Sequence, residues 1–240
     1  MITETDSATD DTDPPEVIVP QLRSKDLPGR SESLDDRRLP VDILLLTVED
    51  WEFLSCLSYL SRGFGRFYHS ELGPVYLGKM GDGMKLNIAI MKCCKGSSVL
   101  VVKNAVKVLG PRAVFAVGSC SGLDCKNVKV GDVVVLDKLI TYGPSKVTEN
   151  GIEELGVKVP LKPRLSKLTT AAGDGWKPPL KDTEALEVKI HRGAFLSGQE
   201  VVDSPERCRA LIKRFRGAVA IEGEGEGTSL VRSSVSVFEK

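Results

Sequence analysis

An excess of charge of either sign is the first thing this sequence lacks: 33 lysines and arginines stand against 33 aspartates and glutamates in 240 residues. Without a basic stripe there is no electrostatic footprint for a polyanion, and no nucleic-acid partner is expected. Long apolar runs are missing too. The longest, VDILLL and SSVLVV, fall well short of the ~20 residues a spanning helix needs, so no membrane partner is expected. Histidine is scarce, at 2 residues, and the six cysteines at 56, 93, 94, 120, 125 and 208 follow no zinc spacing. No metal site and no cofactor is expected from them. The first residues, MITETDSATDDTDPP, are acidic and polar, unlike a secretory or transit peptide. The expectation is a cytoplasmic protein with reduced thiols. Cys93, Cys94 and Cys120 lie in apolar runs and read as small buried side chains.

What is present is an alternation of apolar strands and helices. At 41% hydrophobic residues the chain can bury a sizeable core. Residues 1–38 are rich in Asp, Glu, Ser, Thr and Pro and read as a disordered acidic tail. Order is expected from Pro40, in one domain over 39–240. VDILLLT (41–47) is a strand buried on both faces. EDWEFLSCLSYL follows with helical spacing of Trp51, Phe53, Leu54, Leu57 and Leu60. PVYLGKM and KLNIAIMKC alternate like hairpin arms around the glycines at 81 and 83. A helix over Ser97–Leu109 ends at Gly110-Pro111, and AVFAVG and GDVVVLDKLITY are further strands. Residues 143–186 read as an irregular excursion with a short helix near 165–171. EVKIHRGAFLSG is a strand, DSPERCRALIKRF a helix capped by Ser204 with Pro205 in its first turn, and AVAIE the last clear strand. The pattern predicts an α/β sandwich: a largely buried mixed sheet with helices on both sides.

The polar groups that follow each strand carry the chemistry, since ligands of such folds sit beyond strand carboxyl ends. Val117–Leu123, VGSCSGL, is a turn of small residues that lets main-chain N–H groups approach a ligand closely. It is neither a Walker A loop nor a dinucleotide fingerprint. Glu222, Glu224 and Glu226, separated by glycines, stand where the last strand stops. They read either as a solvated linker or as the floor of a site for a hydroxyl-rich ligand.

Order and spacing add a resemblance. PRAVFAVGSCSGLDCKNVKVGDVVVLDKLITY, then FLSGQEVVDSPERCRALIKRFRGAVAIEGEGEG, with VDILLLTVEDWEF upstream, resembles the purine nucleoside phosphorylase and nucleosidase superfamily. The branch it looks most like is the 5′-methylthioadenosine/S-adenosylhomocysteine nucleosidases. The second block also looks like animal nucleosidase domains, some of which act on ATP in innate defence. The resemblance implies a nucleoside phosphorylase-like three-layer sandwich with a central mixed sheet. It also implies cleavage of a purine–ribose bond through an oxocarbenium-like state. Glu224 matches a glutamate that grips the ribose hydroxyls, and Glu222 one that shapes the same pocket. Glu52 matches the glutamate that orients the attacking water, with Glu49 a poorer register. Gly118 and Ser119 would lie near the sugar and the nucleophile, and Val201 and Val202 would clamp the base. Arg112, at the far end of AVFAVG, is out of reach of a phosphate at the strand tip, so water is the expected nucleophile.

Three departures from the family pattern bear on activity. KCCKGSSV stands where relatives carry a glycine-rich stretch after the third strand. Gly223 stands between the glutamates where relatives carry methionine. No aspartate follows Asp203, where relatives place a general acid on a further strand. The domain is therefore expected to be C-terminally truncated, without its last strand and helix, and to leave a sheet edge open. The expected function is a weak purine nucleoside N-glycosidase acting on adenine nucleosides such as methylthioadenosine and S-adenosylhomocysteine. The alternatives are a non-catalytic nucleoside-binding homologue, an ATP nucleosidase-type defence domain or a nucleoside phosphorylase. The expected partner is a small purine nucleoside or nucleotide. Family members commonly pair, which implies a homodimer.

Overall fold

A computed structural model describes residues 15–19, 21–34, 40–93, 98–123, 127–142, 145–149, 151–154, 158–198, 202, 204–223 and 234–238. In chain order, β1 (Glu32–Ser33) and β2 (Ile43–Thr47) precede helix α1 (Asp50–Ser58). β3 (Gly65–His69), β4 (Gly73–Met80) and β5 (Leu86–Lys92) lead to α2 (Ser98–Leu109). β6 (Ala113–Gly118) and β7 (Ser121–Gly122) are followed by β8 (Val133–Thr141), β9 (Ser145–Thr148), β10 (Gly151–Glu154) and β11 (Lys158–Pro160). Then come α3 (Pro163–Thr170), β12 (Ile190–Gly198), α4 (Pro205–Arg214), β13 (Ala218–Gly223) and β14 (Ser234–Phe238).

Among the described residues, twelve strands share one mixed sheet in the order β1-β3-β4-β5-β2-β6-β14-β8-β12-β13-β7, with β11 on β8. β2 runs parallel to both β5 and β6, and its burial on both faces explains its unbroken apolar run. Alternation sends Leu44 and Leu46 to one side, where Val101, Val102, Val106 and Leu109 of α2 cover them. Ile43 and Leu45 face the other side, against Phe53, Cys56 and Leu57 of α1. Trp51 departs from the expected apolar stripe of α1: it is 46% exposed, because it sits on the helix face turned away from the sheet. The expected hairpin is β4–β5, with Met80 opposite Leu86. Gly81 and Gly83 take φ of 92° and 67° in its turn, a region that favours glycine.

In the other half, α4 covers Tyr142, Leu196 and Ile221 with Leu211, Ile212 and Phe215. The opposite face carries Val134, Leu136 and Phe195. β8 holds an extra residue, Asp137, since Leu136 faces Gly193 and Lys138 faces Ala194. That bulge reverses the alternation and puts Ile140 with the α4 cluster. Ser204 caps α4 as expected, accepting from the Arg207 N–H at 3.4 Å. Among the described residues no helix is long and apolar enough to cross a membrane.

Two segments take part where no ordered element was expected. The expected start of order at Pro40 moves back, because residues before it pack on the domain. β1 pairs with β3, Leu34 is only 4% exposed, and Leu22 and Leu27 pack against the α1 cluster. Val17 bridges Leu180, and Lys181 pairs with Glu16. Spaced leucines in a polar segment supply this anchorage, and a compositional reading averages them away. The slot between β6 and β8 is filled by β14, antiparallel to β6 and parallel to β8. The open edge expected from the sequence is therefore closed at that place.

Candidate active site

Glu52 lies in the first turn of α1, where helix N–H groups have no partner within the helix. Its side chain turns back on that turn. Oε2 accepts from the N–H of Val48 at 3.1 Å and of Glu49 at 3.0 Å. Oε1 reaches across to the end of β6 and accepts from the Ser119 N–H at 2.9 Å. The residue is 6% exposed, and three main-chain donors meet the desolvation that burial imposes on a carboxylate. The carboxylate therefore ties the tip of β2 to the tip of β6. Gly118 makes room for it: a Cβ there would stand 3.1 Å from Oε1.

The third wall comes from β13. β6 passes through Ser119 and Cys120 directly into β7, which pairs antiparallel with β13, Ile221 opposite Ser121 and Ala220 opposite Gly122. Continuing that register brings Glu222 level with Cys120. β12 ends beside it, Ser197 opposite both Glu222 and Thr141. A Cβ on Gly198 would stand 2.7 Å from ring carbons of Tyr142, so glycine is what lets the end of β12 lie against that ring. The strand tips named from the sequence thus converge on one region.

The individual residues divide as follows. Glu52, Gly118 and Ser119 are in direct contact. Glu222 is placed by its strand register at the end of β13. Val202 is half-buried and packs with the α4 cluster, beside Leu196 and Leu211. Val201, Glu224 and Glu226 lie outside the described residues. Glu49 occupies the N-cap of α1 and forms a reciprocal capping box with Glu52: its N–H donates to the Glu52 carboxylate, and its side chain accepts from the Glu52 N–H. Arg112 sits at the opposite end of β6, 3.6 Å from Asp42 and largely exposed.

Three further residues belong to these surroundings; Cys56 and Tyr142 were not anticipated, whereas Thr47 falls in the stretch 47–52 after the first strand, where the sequence already points to ligand chemistry. Cys56, one turn after Glu52, has its thiol pushed up to about 11 by burial and, secondarily, by the Glu52 carboxylate. It is a neutral thiol at pH 7 and no nucleophile. Tyr142 backs the end of β12. Thr47 is the polar end of an otherwise apolar strand, 1% exposed. The Glu-x-x-Glu spacing of Glu49 and Glu52 before an apolar run is a local signal from which the folded-back carboxylate could have been found.

Comparison with known proteins bears on the fold and the family. A curated relative, a death domain-containing ATP nucleosidase of Amphimedon queenslandica, is 28% identical, with 84% of this chain and 42% of the relative covered. The chain thus spans less than half of that relative's length. Among solved structures, 5′-methylthioadenosine/S-adenosylhomocysteine nucleosidase of Neisseria meningitidis, in complex with methylthio-immucillin-A, superposes with a TM-score of 0.59. It shares 17% identity, covering 82% of this chain and 83% of that one. Futalosine hydrolase of Helicobacter pylori gives 0.57 at 18% identity, covering 83% of each chain. Residues 52–227, which begin at the buried glutamate and end just past the converging strands, match the profile of one family, and the chain belongs to the Phosphorylase superfamily.

Proposed function

We propose that this domain is a purine nucleoside N-glycosidase that uses water to cleave the base–ribose bond of adenine nucleosides such as methylthioadenosine and S-adenosylhomocysteine. The observation that carries the reading is the buried Glu52 carboxylate joining the ends of β2 and β6, where the end of β13 arrives. Three of its roughly four acceptor directions are taken by main-chain N–H groups. The remaining one is available to a water hydrogen. In the reaction the water oxygen bonds to the anomeric carbon as the carbon–nitrogen pair leaves with the base. One water proton passes to the Glu52 carboxylate, and the base takes up one proton. Glu222 and Glu224, at and after the end of β13, would grip the ribose hydroxyls and favour the positively charged sugar.

Water rather than phosphate is favoured because Arg112 is paired with Asp42 at the wrong end of its strand. A second reading has its own support: the curated relative is by name an ATP nucleosidase, so ATP is a candidate substrate.

The test is release of free adenine from methylthioadenosine, S-adenosylhomocysteine, adenosine and ATP. Release from one of the first three, abolished by Glu52→Ala, is the expected result. Release from ATP alone supports the second reading. No adenine from any of the four, at high protein concentration, overturns both.

A further inference from the structure

Thr47 ends β2, and its hydroxyl is buried with no hydrogen-bond partner. Its backbone carbonyl accepts from the Cys93 N–H at 2.7 Å, and its register partner is Lys92. The side chain leaves the sheet on the side of Ile43 and Leu45, the side covered by α1. The next residue, Val48, gives its N–H to Glu52. An orphaned buried hydroxyl destabilises the fold, and valine would fill the same volume without that cost. Elsewhere β2 is wholly aliphatic. The one polar side chain in the strand therefore sits one residue before a main-chain donor to Glu52, on the side of the sheet that α1 covers.

We propose that Thr47 is a positioning residue that orients the attacking water. This rests on the hydrolytic reading above. A bound water needs at least two polar partners, and Glu52 has one acceptor direction left. The Thr47 oxygen accepts one hydrogen of the water and Glu52 accepts the other. Both of the water's lone pairs stay free, and one is directed at the anomeric carbon. The bonds made and broken are those of the hydrolysis itself: oxygen to carbon forms, carbon to nitrogen breaks, and the proton shed by the water goes to Glu52. Thr47 takes up no proton.

The experiment compares Thr47→Val and Thr47→Ser in the 240-residue chain, on whichever nucleoside the wild type cleaves. Thr47→Val is expected to keep its melting temperature and KM while kcat falls about 10- to 100-fold, the scale of a misplaced reactant. Thr47→Ser is expected to return kcat to within about threefold of wild type. A merely structural hydroxyl predicts the opposite: Thr47→Val is as active as wild type and melts higher. Unchanged kcat in Thr47→Val overturns the proposal while leaving the hydrolase standing. A wild type that cleaves nothing overturns both. Should Thr47→Val not fold, Thr47→Ala and Thr47→Ser are compared, and equal kcat in those two is the overturning result.

Discussion

The Glu52 side chain satisfies one helix start and one neighbouring strand end with a single carboxylate. Exchanging it for an amide tests how much of its role is structural. In Glu52→Gln the NH2 group must face at least one of the three N–H donors, whichever way the amide turns. We expect a loss of about 1–3 kcal/mol, read from urea unfolding, and a fall in adenine release of about 10²-fold. Cys56 makes a second prediction at this scale. With its thiol pushed up to about 11, it should resist iodoacetamide at pH 8 in the native protein, and peptide mass spectrometry after labelling reads this directly. Of these residues Glu52 was legible in the sequence, because a glutamate shortly after the first apolar strand is a family feature. Cys56 was not, because a cysteine on an apolar helix face looks the same whether or not a carboxylate lies beside it. Thr47 stands among the polar groups that follow a strand, but its lack of a partner shows only in the fold.

Among the elements, the long ones were legible and the short ones were not. β2, β5, β6, β12 and α4 carry enough residues for their period to show, and their bounds agree with the pattern. β1 and β7 are two residues each. Pairing across the sheet creates them, and no local pattern announces them. β14, SVSVF, does alternate, but its place between β6 and β8 depends on partners distant in sequence. The tips of elements carry two predictions. Gly118→Ala sets a Cβ 3.1 Å from Glu52 Oε1, so the tie to Ser119 must lengthen. We expect a drop in melting temperature of several degrees, together with a fall in kcat, measured on the same preparation. Ser204→Ala removes a cap bond of 3.4 Å at an exposed residue. That long contact places the loss near the bottom of the usual range, about 0.5 kcal/mol, with adenine release unchanged.

For the whole molecule, the response to acid follows from one buried carboxylate away from the site. Asp132 is 1% exposed. It accepts from the N–H of Lys129 and of Lys189, both at 2.8 Å, and lies 2.8 Å from His191 Nε2. Burial by itself would raise its pKa. The two N–H bonds and His191 outweigh that and hold it below the ordinary carboxylate value. A depressed carboxylate stabilises the fold fully above its unfolded pKa. That contribution is lost as pH falls through the lower, folded value. Urea midpoints should therefore be flat near neutrality and decline below about pH 4. Asp132→Asn should lower stability at pH 7 and flatten that decline. Equal acid slopes in the two proteins would show that other groups dominate the response.

β14 has one more consequence. Its residues pair with β8 residues one hundred positions earlier, Ser234 opposite Val134, a span that makes pairing slow to find because loop closure comes before any reward. Until residues 234–238 dock, β6 and β8 each present an unsatisfied ladder in what becomes the interior of the sheet. The vulnerable period in the life of this chain is thus its assembly, when a foreign strand could occupy the gap before its own arrives.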